Sequence, residues 1–311
     1  MIMSKIMPII PKGLIGKTIG ITGYSGYIGQ HLVHYLEKAG HEVFLIPRAG
    51  AETSNQLGRR IAAKWNTPLE LASQLEVFDN LVIINLAGYF INNHSTKDLP
   101  KLIDANLDYP LKIFEALIKT QHKNIINVGS SWEYTETGIV QPINLYAHLK
   151  AANAKMLNWY AEHHPICVTN LKLNDTFGGL DPRVKLMPML KESVKTGKTA
   201  NLRIAAQKLN LLYITDVIEG ICEAVIENYK IKNHTSRTTF LLATETITLG
   251  ALTKKINTEL GIKLKVSFED SSETRSGLRG IWQAAPNLEN WHPRISLNDG
   301  LLNYFGKNYA Y

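Results

Sequence analysis

A tyrosine and a lysine, Tyr146 and Lys150, stand four residues apart in the segment N-L-Y-A-H-L-K. Side chains with this spacing lie on the same face of a helix, so a phenol and an ammonium group would point into the same space. A free tyrosine has a pKa of about 10, and a nearby positive charge favours its phenolate form. The pair therefore predicts a tyrosine that exchanges a proton with an oxygen atom of a substrate.

Two serines lie shortly before this pair in the chain. Ser130 and Ser131 directly follow an apolar segment that predicts a strand over Asn124–Gly129. A hydroxyl at the end of that strand could hold the oxygen atom that the tyrosine protonates. The spacing to Tyr134 favours Ser130 for this role, whereas the S-W-E spacing would also allow Ser131.

A glycine-rich loop precedes these residues by about 120 positions in the chain. The sequence T-G-Y-S-G-Y-I-G has glycines at positions 23, 26 and 29, between a predicted strand and a predicted helix. The first glycine permits a tight turn, the second lets the backbone approach a pyrophosphate, and the third lets helix and strand pack closely. The helix N-terminus offers unpaired N–H groups to phosphate. The loop predicts a dinucleotide site formed by Gly23, Tyr24, Ser25, Gly26, Tyr27, Ile28 and Gly29.

The end of the second predicted strand indicates which dinucleotide binds. An acidic residue there would bind the ribose hydroxyl of NAD, but the chain reads F-L-I-P-R-A-G, with Arg48 and no carboxylate until Glu52. A guanidinium group suits the 2′-phosphate of NADP, so NADP is favoured over NAD. The alternative is that Arg48 is solvated or stacks on the adenine. The positive ring of an oxidised nicotinamide would add to the effect of Lys150 on the pKa of Tyr146.

Strand and helix patterns alternate through the first half of the chain. This alternation predicts an α/β fold, a Rossmann-type doubly wound parallel sheet with helices on both faces. The alternation loosens after the sixth strand, which predicts a smaller mixed α/β C-terminal lobe that binds substrate. The expected organisation is an N-terminal extension over residues 1–15, a dinucleotide-binding domain over 16–175 and a substrate lobe over 176–311, from which some elements could return to the sheet.

The predicted elements have defined bounds in most of the chain, although residues 47–76 are hard to interpret. The predicted strands are Lys17–Thr22, His41–Ile46, Ile61–Trp65, Leu81–Leu86, Asn124–Gly129 and Ile166–Leu173. Two helices are expected after the fourth strand, with Pro110 at the start of the second. The other predicted helices include Tyr146–His163, Pro188–Thr196, Asp216–Tyr229 and Thr248–Leu260.

Composition argues against several other classes of protein. The 311 residues carry a net charge of +7, but the lysines are scattered and no nucleic-acid-binding module is present. No apolar run is long enough to span a bilayer, and residues 1–15 lack a cleavage pattern. Cys167 and Cys222 are interpreted as core thiols, which fits a reducing cytoplasm. The histidines show no spacing typical of a metal site.

Taken in order, these motifs resemble the extended short-chain dehydrogenase/reductase family, which contains nucleotide-sugar epimerases, dehydratases and reductases. The resemblance also rests on N-L-A-G at Asn85–Gly88 and on Asn106 in D-A-N-L. It implies that Leu86, Ala87 and Gly88 line the cofactor. It further implies that Asn106 steadies the helix that carries Tyr146 and Lys150, and that the protein forms a homodimer.

Other segments resemble the nucleotide-sugar 4-ketoreductases of dideoxyhexose pathways within that family. They include G-S-S-W-E-Y, N-L-Y-A-H-L-K and T-F-G-G-L-D-P-R-V-K-L. The resemblance implies a nucleotide-diphosphate sugar as substrate. The substrate contacts that it implies are Trp132, Asn174, Arg183, Lys185 and Arg203.

The leading hypothesis is an NAD(P)H-dependent reductase of a 4-keto nucleotide-deoxysugar. A 4,6-dehydratase is disfavoured because only Glu133 is acidic where dehydratases carry an Asp-Glu pair. A 4-epimerase with tightly bound NAD would use the same residues and stays open. The third hypothesis is a non-catalytic regulator with the same fold. The presence of the tyrosine, the lysine and the serine together argues against it, because such a protein has no physical need for all three.

Overall fold

The structure, a computed structural model, describes residues 12–51, 56–57, 60–231, 233–269 and 280–306. Its strands in chain order are β1 (Thr18–Thr22), β2 (Val43–Ile46), β3 (Gln56–Leu57), β4 (Arg60–Ala62), β5 (Leu81–Asn85), β6 (Asn124–Ser130), β7 (Cys167–Leu173), β8 (Asp175–Phe177), β9 (Ala200–Leu202), β10 (Lys208–Leu209), β11 (Leu211–Tyr213), β12 (Ser236–Leu241), β13 (Ile247–Thr248) and β14 (Val266–Phe268).

The α-helices alternate with the strands in the first half of the chain. They are α1 (Tyr27–Lys38), α2 (Pro68–Leu75), α3 (Leu99–Ile103), α4 (Tyr109–Leu117), α5 (Leu145–His163), α6 (Leu186–Thr196), α7 (Ile214–Tyr229), α8 (Leu249–Lys254) and α9 (Leu297–Phe305). No helix among the described residues is both long enough and apolar enough to cross a membrane.

Eight strands form the main sheet, in the spatial order β12-β7-β6-β5-β1-β2-β4-β3. Neighbouring strands are parallel throughout, except that β3 runs antiparallel to β4. Every residue of β1 after the first, and every residue of β5, is buried. Such apolar strands are expected where helices cover both faces of a sheet.

Alternate strand residues pack into two separate apolar layers. Ile84 and Ile126 contact the layer that contains α1 and α7. Ile83 and Ile125 contact the opposite layer, with α2, α4 and α5. Because side chains alternate across a strand, the two layers lie on opposite faces of the sheet. The predicted doubly wound parallel sheet is therefore confirmed.

The C-terminal part of the chain both extends the sheet and builds smaller units beside it. Strand β12 pairs in parallel with β7 along its full length, and α7 packs against the sheet. The remaining strands form the pairs β8–β11, β9–β14 and β10–β13. The first half of the chain thus contributes most of the dinucleotide-binding sheet, and β12 completes it from beyond residue 175.

Local structure differs from the sequence expectations at three places. The third strand is shorter than predicted, Arg60–Ala62, and Trp65 instead donates its indole N–H to the Pro47 carbonyl. The two helices expected after β5 are joined by a π-helical segment, Asp104–Asp108, into one continuous run. Of the expected N-terminal extension, residues 1–11 lie outside the described residues, and Lys12–Leu14 forms a 3-10 turn.

Candidate active site

A cleft opens at the carboxyl ends of β1 and β5, where the chain reverses its direction of progress across the sheet. Such a reversal point is the usual ligand site of open parallel sheets. The cleft has a volume of about 750 Å³. Three of its walls come from the glycine loop, the segment after β5 and the end of β6. The site residues predicted from the sequence that line this cleft are Gly23, Gly26, Tyr27, Ile28, Gly29, Leu86, Gly88, Ser130, Tyr146, Lys150, Asn174, Arg183 and Lys185.

The glycine loop has the conformation that its sequence requires. Gly23 has a φ of 65°, and a β-carbon there would lie 2.7 Å from the backbone carbon of Leu86. A β-carbon on Gly29 would lie only 2.3 Å from the carbonyl oxygen of Gly23. Side chains at these two positions would therefore push the loop away from β5 and α1 away from the loop.

Helix α1 begins directly behind this loop. Gly26 is its N-cap and provides no side-chain hydrogen bond, so the first amides of the helix face the cleft mouth without a side-chain cap. Tyr27 is anchored by a 2.7 Å hydrogen bond from its hydroxyl to the Gly178 carbonyl. Tyr24 and Ser25 belong to the loop but do not line the cleft, and Ser25 is exposed.

Helix α5 brings Tyr146 and Lys150 into the cleft. Asn144 caps the helix, since its side chain accepts a 2.9 Å hydrogen bond from the Ala147 N–H, and Tyr146 lies in the first turn. The Lys150 ammonium donates to the Ala87 carbonyl at 2.6 Å and to the Val128 carbonyl at 3.1 Å. Backbone groups at the ends of β5 and β6 therefore fix the position of this buried ammonium.

Burial dominates the proton affinities of the two groups. Removal from water raises the pKa of Tyr146; the carboxylate of Glu133 raises it further, and Arg183 opposes the rise. Burial lowers the pKa of Lys150 to about 8, with Glu133 raising and Lys172 lowering it. The sequence predicted that Lys150 and a positive nicotinamide would lower the pKa of Tyr146. The protein groups alone do not lower it. Tyr146 is therefore a phenol at neutral pH.

The two serines at the end of β6 have different surroundings. Ser130 lines the cleft, and its hydroxyl accepts a 3.2 Å hydrogen bond from the Trp132 N–H. Ser131 does not line the cleft, and its buried hydroxyl oxygen has no partner among the described residues. The structure therefore brings Ser130, rather than Ser131, together with Tyr146 and Lys150.

The segment after β5 carries groups that contact both the cleft and Lys150. Gly88 has no side chain, and a β-carbon at this position would lie 3.1 Å from both Asn106 Oδ1 and Lys150 Nζ. Asn106 donates to the carbonyls of Tyr89 and Leu102, at 3.0 and 2.9 Å. Its buried Oδ1 has no partner in the described part of the chain. The bare glycine cradle and the uncapped helix end fit a dinucleotide bound in the cleft, whereas Asn106 lies behind Gly88 and does not line the cleft.

An aromatic wall, Phe90 with Tyr146 and Trp132, separates the cleft from a second cavity. The Phe90 ring lies edge-on to Tyr146 at 5.2 Å and to Trp132 at 5.4 Å. The Lys185 ammonium lies 4.3 Å from the centre of the same ring. Sequence reasoning missed Phe90, and its place two residues after N-L-A-G was the available signal.

The second cavity has a volume of about 390 Å³. It shares with the cleft the residues Phe90, Asn92, Thr176, Val184 and Lys185. Trp132 and the exposed Arg203 line this cavity. Its other walls are largely apolar and come from α6, β9, β11 and α8, including Met187, Leu202, Leu211 and Leu249. The substrate contacts implied by the resemblance are thus divided between two connected spaces.

Arg183 and Asn174 line the cleft at this junction. Both Arg183 Nε and one terminal nitrogen lie 2.6 Å from the Asp181 carboxylate, and the guanidinium lies over the Tyr27 ring at 3.9 Å. Asn174 donates to the Leu241 carbonyl at 3.3 Å. Its buried Oδ1 has no partner among the described residues, so it is available to a ligand in the cleft.

Arg48 does not line the cleft and is not alone at the end of β2. It forms an ion pair with Asp104, which the π-helical segment brings close to it, and both side chains are about half exposed. The expectation of a carboxylate-free environment is therefore wrong, because it considered only residues near Arg48 in sequence. Tyr109 lies close enough to interact electrostatically with Arg48, Asp104 and Tyr24.

The fold and the cleft together define a dinucleotide-dependent enzyme, and the comparison with family models agrees. Residues 19–236 match the model of the NAD dependent epimerase/dehydratase family, and the chain belongs to that family. The short-chain dehydrogenase/reductase resemblance seen in the sequence is thereby confirmed.

Named relatives and solved structures make the similarity more specific. The chain is 34% identical over 204 residues to a CDP-abequose synthase from Yersinia pseudotuberculosis, covering 65% of this chain and 71% of that protein. MoeE5 in complex with UDP-glucuronic acid and NAD has a TM-score of 0.76 at 16% identity, covering 92% of this chain and 97% of MoeE5. UDP-glucuronic acid 4-epimerase from Bacillus cereus, in complex with UDP-glucuronic acid and NAD, has a TM-score of 0.75 at 18% identity, covering 93% and 98%.

Proposed function

We propose that this protein is a reductase that converts a 4-keto nucleotide-deoxysugar to its 4-hydroxy product for surface-polysaccharide synthesis. The observation that carries the proposal is the placement of Tyr146, Lys150 and Ser130 in one cleft, beside a loop shaped for a dinucleotide. The similarity to CDP-abequose synthase supports the substrate class. By family resemblance, the enzyme works as a cytoplasmic homodimer.

Each residue of the site has a role that follows from its position. A bound nicotinamide dinucleotide supplies hydride. Tyr146 donates its phenolic proton to the sugar oxygen, Ser130 orients that oxygen, and Lys150 provides a positive charge that stabilises the tyrosinate left behind. The amides of α1 and the Gly88 region would hold the dinucleotide, and Asn106 lies behind Gly88 beside Lys150.

The second cavity is the proposed site for the nucleotide part of the substrate. Its apolar walls suit a base and a ribose, whereas Arg203 and Lys185 supply positive charge for the phosphates. Arg183 and the unpaired Oδ1 of Asn174 lie where the two cavities meet, and they are proposed to contact the diphosphate and the sugar.

NADPH is the proposed reductant, with Arg48 as its recognition group. The 2′-phosphate would take the place of Asp104 as the partner of the guanidinium, which is exposed enough to exchange partners. NAD remains the alternative, because a free ribose hydroxyl could be bound by Asp104 without disturbing the pair.

A 4-epimerase is the second candidate, because it would use the same Tyr146, Lys150 and Ser130 in the cleft. An epimerase must first remove a proton from a sugar hydroxyl, which requires a tyrosinate. Burial raises the pKa of Tyr146 in the protein itself, and the positive ring of a tightly bound oxidised nicotinamide would lower it again. The cavity shape alone favours neither reaction.

The test is incubation of the purified protein with NADPH and a panel of 4-keto nucleotide sugars, following the absorbance of the reduced cofactor. We expect stoichiometric oxidation with at least one member of the panel. Interconversion of 4-hydroxy sugars without NADPH consumption would instead establish the epimerase.

The variant Tyr146→Phe distinguishes a catalytic protein from a regulator. It should lower kcat by about 10²- to 10⁴-fold, because it removes the proton donor, and leave cofactor affinity almost unchanged. Tyr160→Phe is the matched control, since Tyr160 lies on the same helix but bonds to Glu115 in the apolar layer. Equal turnover in wild type and Tyr146→Phe would remove the proposed mechanism.

A further inference from the structure

A buried ion pair lies directly behind the Ser130 turn. Glu133 follows β6 in a 3-10 turn, Lys172 lies in β7, and their side chains are 1% and 0% exposed. They meet beside Gly129, where a β-carbon would lie 2.5 Å from Glu133 Oε1 and 2.7 Å from Lys172 Nζ. The absence of a side chain at position 129 therefore allows the pair to form.

Glu133 also contacts the backbone of Ser130. Its Oε1 accepts a 2.8 Å hydrogen bond from the Ser130 N–H, while its Oε2 faces Lys172. The Ser130 hydroxyl in turn accepts from the Trp132 N–H at 3.2 Å. Both ends of the Glu133 carboxylate are thus used, and one of them fixes the serine that lines the cleft.

The pair also contributes to the charge around the proton-transfer residues. Glu133 raises the pKa of both Tyr146 and Lys150, whereas Lys172 lowers that of Lys150. From the segment after β8, Arg183 lowers the pKa of Tyr146. Removal of one member of a buried pair would leave the other charge uncompensated beside the site.

We propose that Glu133 and Lys172 are positioning residues that hold Ser130 in the cleft wall and balance the charge beneath Tyr146 and Lys150. The proposal rests on the proposed reductase function for its kinetic consequences. The electrostatic part of the proposal can be measured on the protein alone, without substrate. A pair that merely stabilised the fold would affect the amount of folded protein but leave the pH dependence of the reaction unchanged.

The variant Glu133→Gln tests the charge separately from the hydrogen bond. Glutamine has the same size and can still accept from the Ser130 N–H, but Lys172 loses its counter-charge. Lys150 must carry its positive charge to stabilise the tyrosinate, so activity is lost as pH rises through the pKa of Lys150, which is about 8. Removal of the Glu133 charge lowers that pKa, and the basic limb of the kcat profile should move down by about one pH unit.

The double variant Glu133→Gln/Lys172→Met distinguishes charge balance from a general loss of packing. It removes both charges and leaves a neutral pair of similar volume, which buried sites tolerate well. We expect its basic limb to return to within about 0.3 units of wild type. Glu136→Gln, at an exposed acid of the same loop, is the control and should not shift the profile.

A titration of Lys150 by NMR, using lysine labelled with ¹³C at Cε, gives a readout that needs no substrate. The signal should titrate near pH 8 in the wild type and at lower pH in Glu133→Gln, with recovery in the double variant. This measurement stands even if the wild type reduces no sugar in the panel. Unchanged Lys150 titration in Glu133→Gln, or a double variant that shifts as far as the single one, would overturn the proposal.

Discussion

At the scale of single residues, the proposed choice of NADPH depends on a contact that joins distant parts of the chain. Arg48 and Asp104 are 56 positions apart, and both are about half exposed at the end of β2. An exposed ion pair of this kind contributes little to stability. Its effect on ligands is larger, because an incoming 2′-phosphate is attracted by one member and repelled by the other.

Substitutions at Arg48 and at Asp104 should change the preference for NADPH over NADH in opposite directions. Arg48→Ala should weaken NADPH by about 10- to 100-fold through loss of a charge-assisted hydrogen bond, and affect NADH much less. Asp104→Asn should raise the preference for NADPH by about fivefold, because it removes the competing carboxylate. Fluorescence titration with each reduced cofactor measures both effects.

Asp108→Asn serves as the control for this pair of substitutions. Asp108 lies one turn beyond Asp104 but pairs with Lys112 rather than with Arg48. Its substitution should leave both affinities unchanged. Equal losses of NADPH and NADH in Arg48→Ala would contradict the proposed recognition of the 2′-phosphate.

Sequence reasoning identified residues whose roles are encoded locally and missed those that depend on distant contacts. The glycine loop and the Tyr146/Lys150 pair could be found because their spacing within one turn or helix carries the information. Asp104 could not, since only the π-helical segment brings it to Arg48. The Glu133–Lys172 pair had one local signal, a glutamate three residues after Ser130 in the pattern of a capping box.

At the scale of elements, a ladder of buried side-chain hydrogen bonds crosses the main sheet. Thr22 donates to Asn85, Asn85 to Asn127, and Asn127 to Asn170, at 2.7, 2.9 and 2.9 Å. These residues are direct register partners on β1, β5, β6 and β7. The ladder continues from Asn170 to Asn158 at 2.9 Å and so reaches the helix that carries Tyr146.

Interruption of the ladder within the sheet should be costly because its members there, Thr22, Asn85, Asn127 and Asn170, are buried. Asn127→Leu would leave a buried donor on Asn85 and a buried acceptor on Asn170 unpaired. We expect a loss of about 3 kcal/mol in the free energy of unfolding, measured by urea denaturation. Asn158→Ala, at the partly exposed end of the ladder, should cost only about 1 kcal/mol; equal losses would contradict this account.

The element boundaries were predictable where apolar periodicity was strong, as in β5 and α7. The third strand was not, because its three residues, Arg60–Ala62, carry too little pattern to separate them from the surrounding loop. The side-chain ladder was also invisible, since Asn85, Asn127 and Asn170 reveal their relation only when the strand order and register are known.

At the scale of the whole molecule, the second half of the chain is joined to the dinucleotide-binding sheet rather than merely following it. Strand β12 pairs with β7, and Gly220 of α7 lies so close to β12 that a β-carbon there would be 2.5 Å from Leu241. Sequence alternation could not assign β12 to the sheet, because short strands outside the sheet intervene.

Asp216, in the first turn of α7, is the main polar contact between that helix and the segment 291–295. Its side chain accepts hydrogen bonds from the N–H groups of Arg294 and Ile295, both at 3.0 Å, and its carbonyl accepts from the Trp291 indole at 3.1 Å. Asp216 is only 2% exposed. The segment is thus fixed by a buried carboxylate.

Asp216→Asn should lower the free energy of unfolding by about 2 to 3 kcal/mol, since the amide turns one acceptor into a donor facing a backbone N–H. Glu219→Gln, on the same helix, is the matched control. Glu219 lies 3.6 Å from the more exposed Arg294, so its loss should cost less than about 1 kcal/mol. Urea denaturation compares the two, and a cost for Asp216→Asn no larger than that for Glu219→Gln would mean that apolar packing, not Asp216, holds the segment.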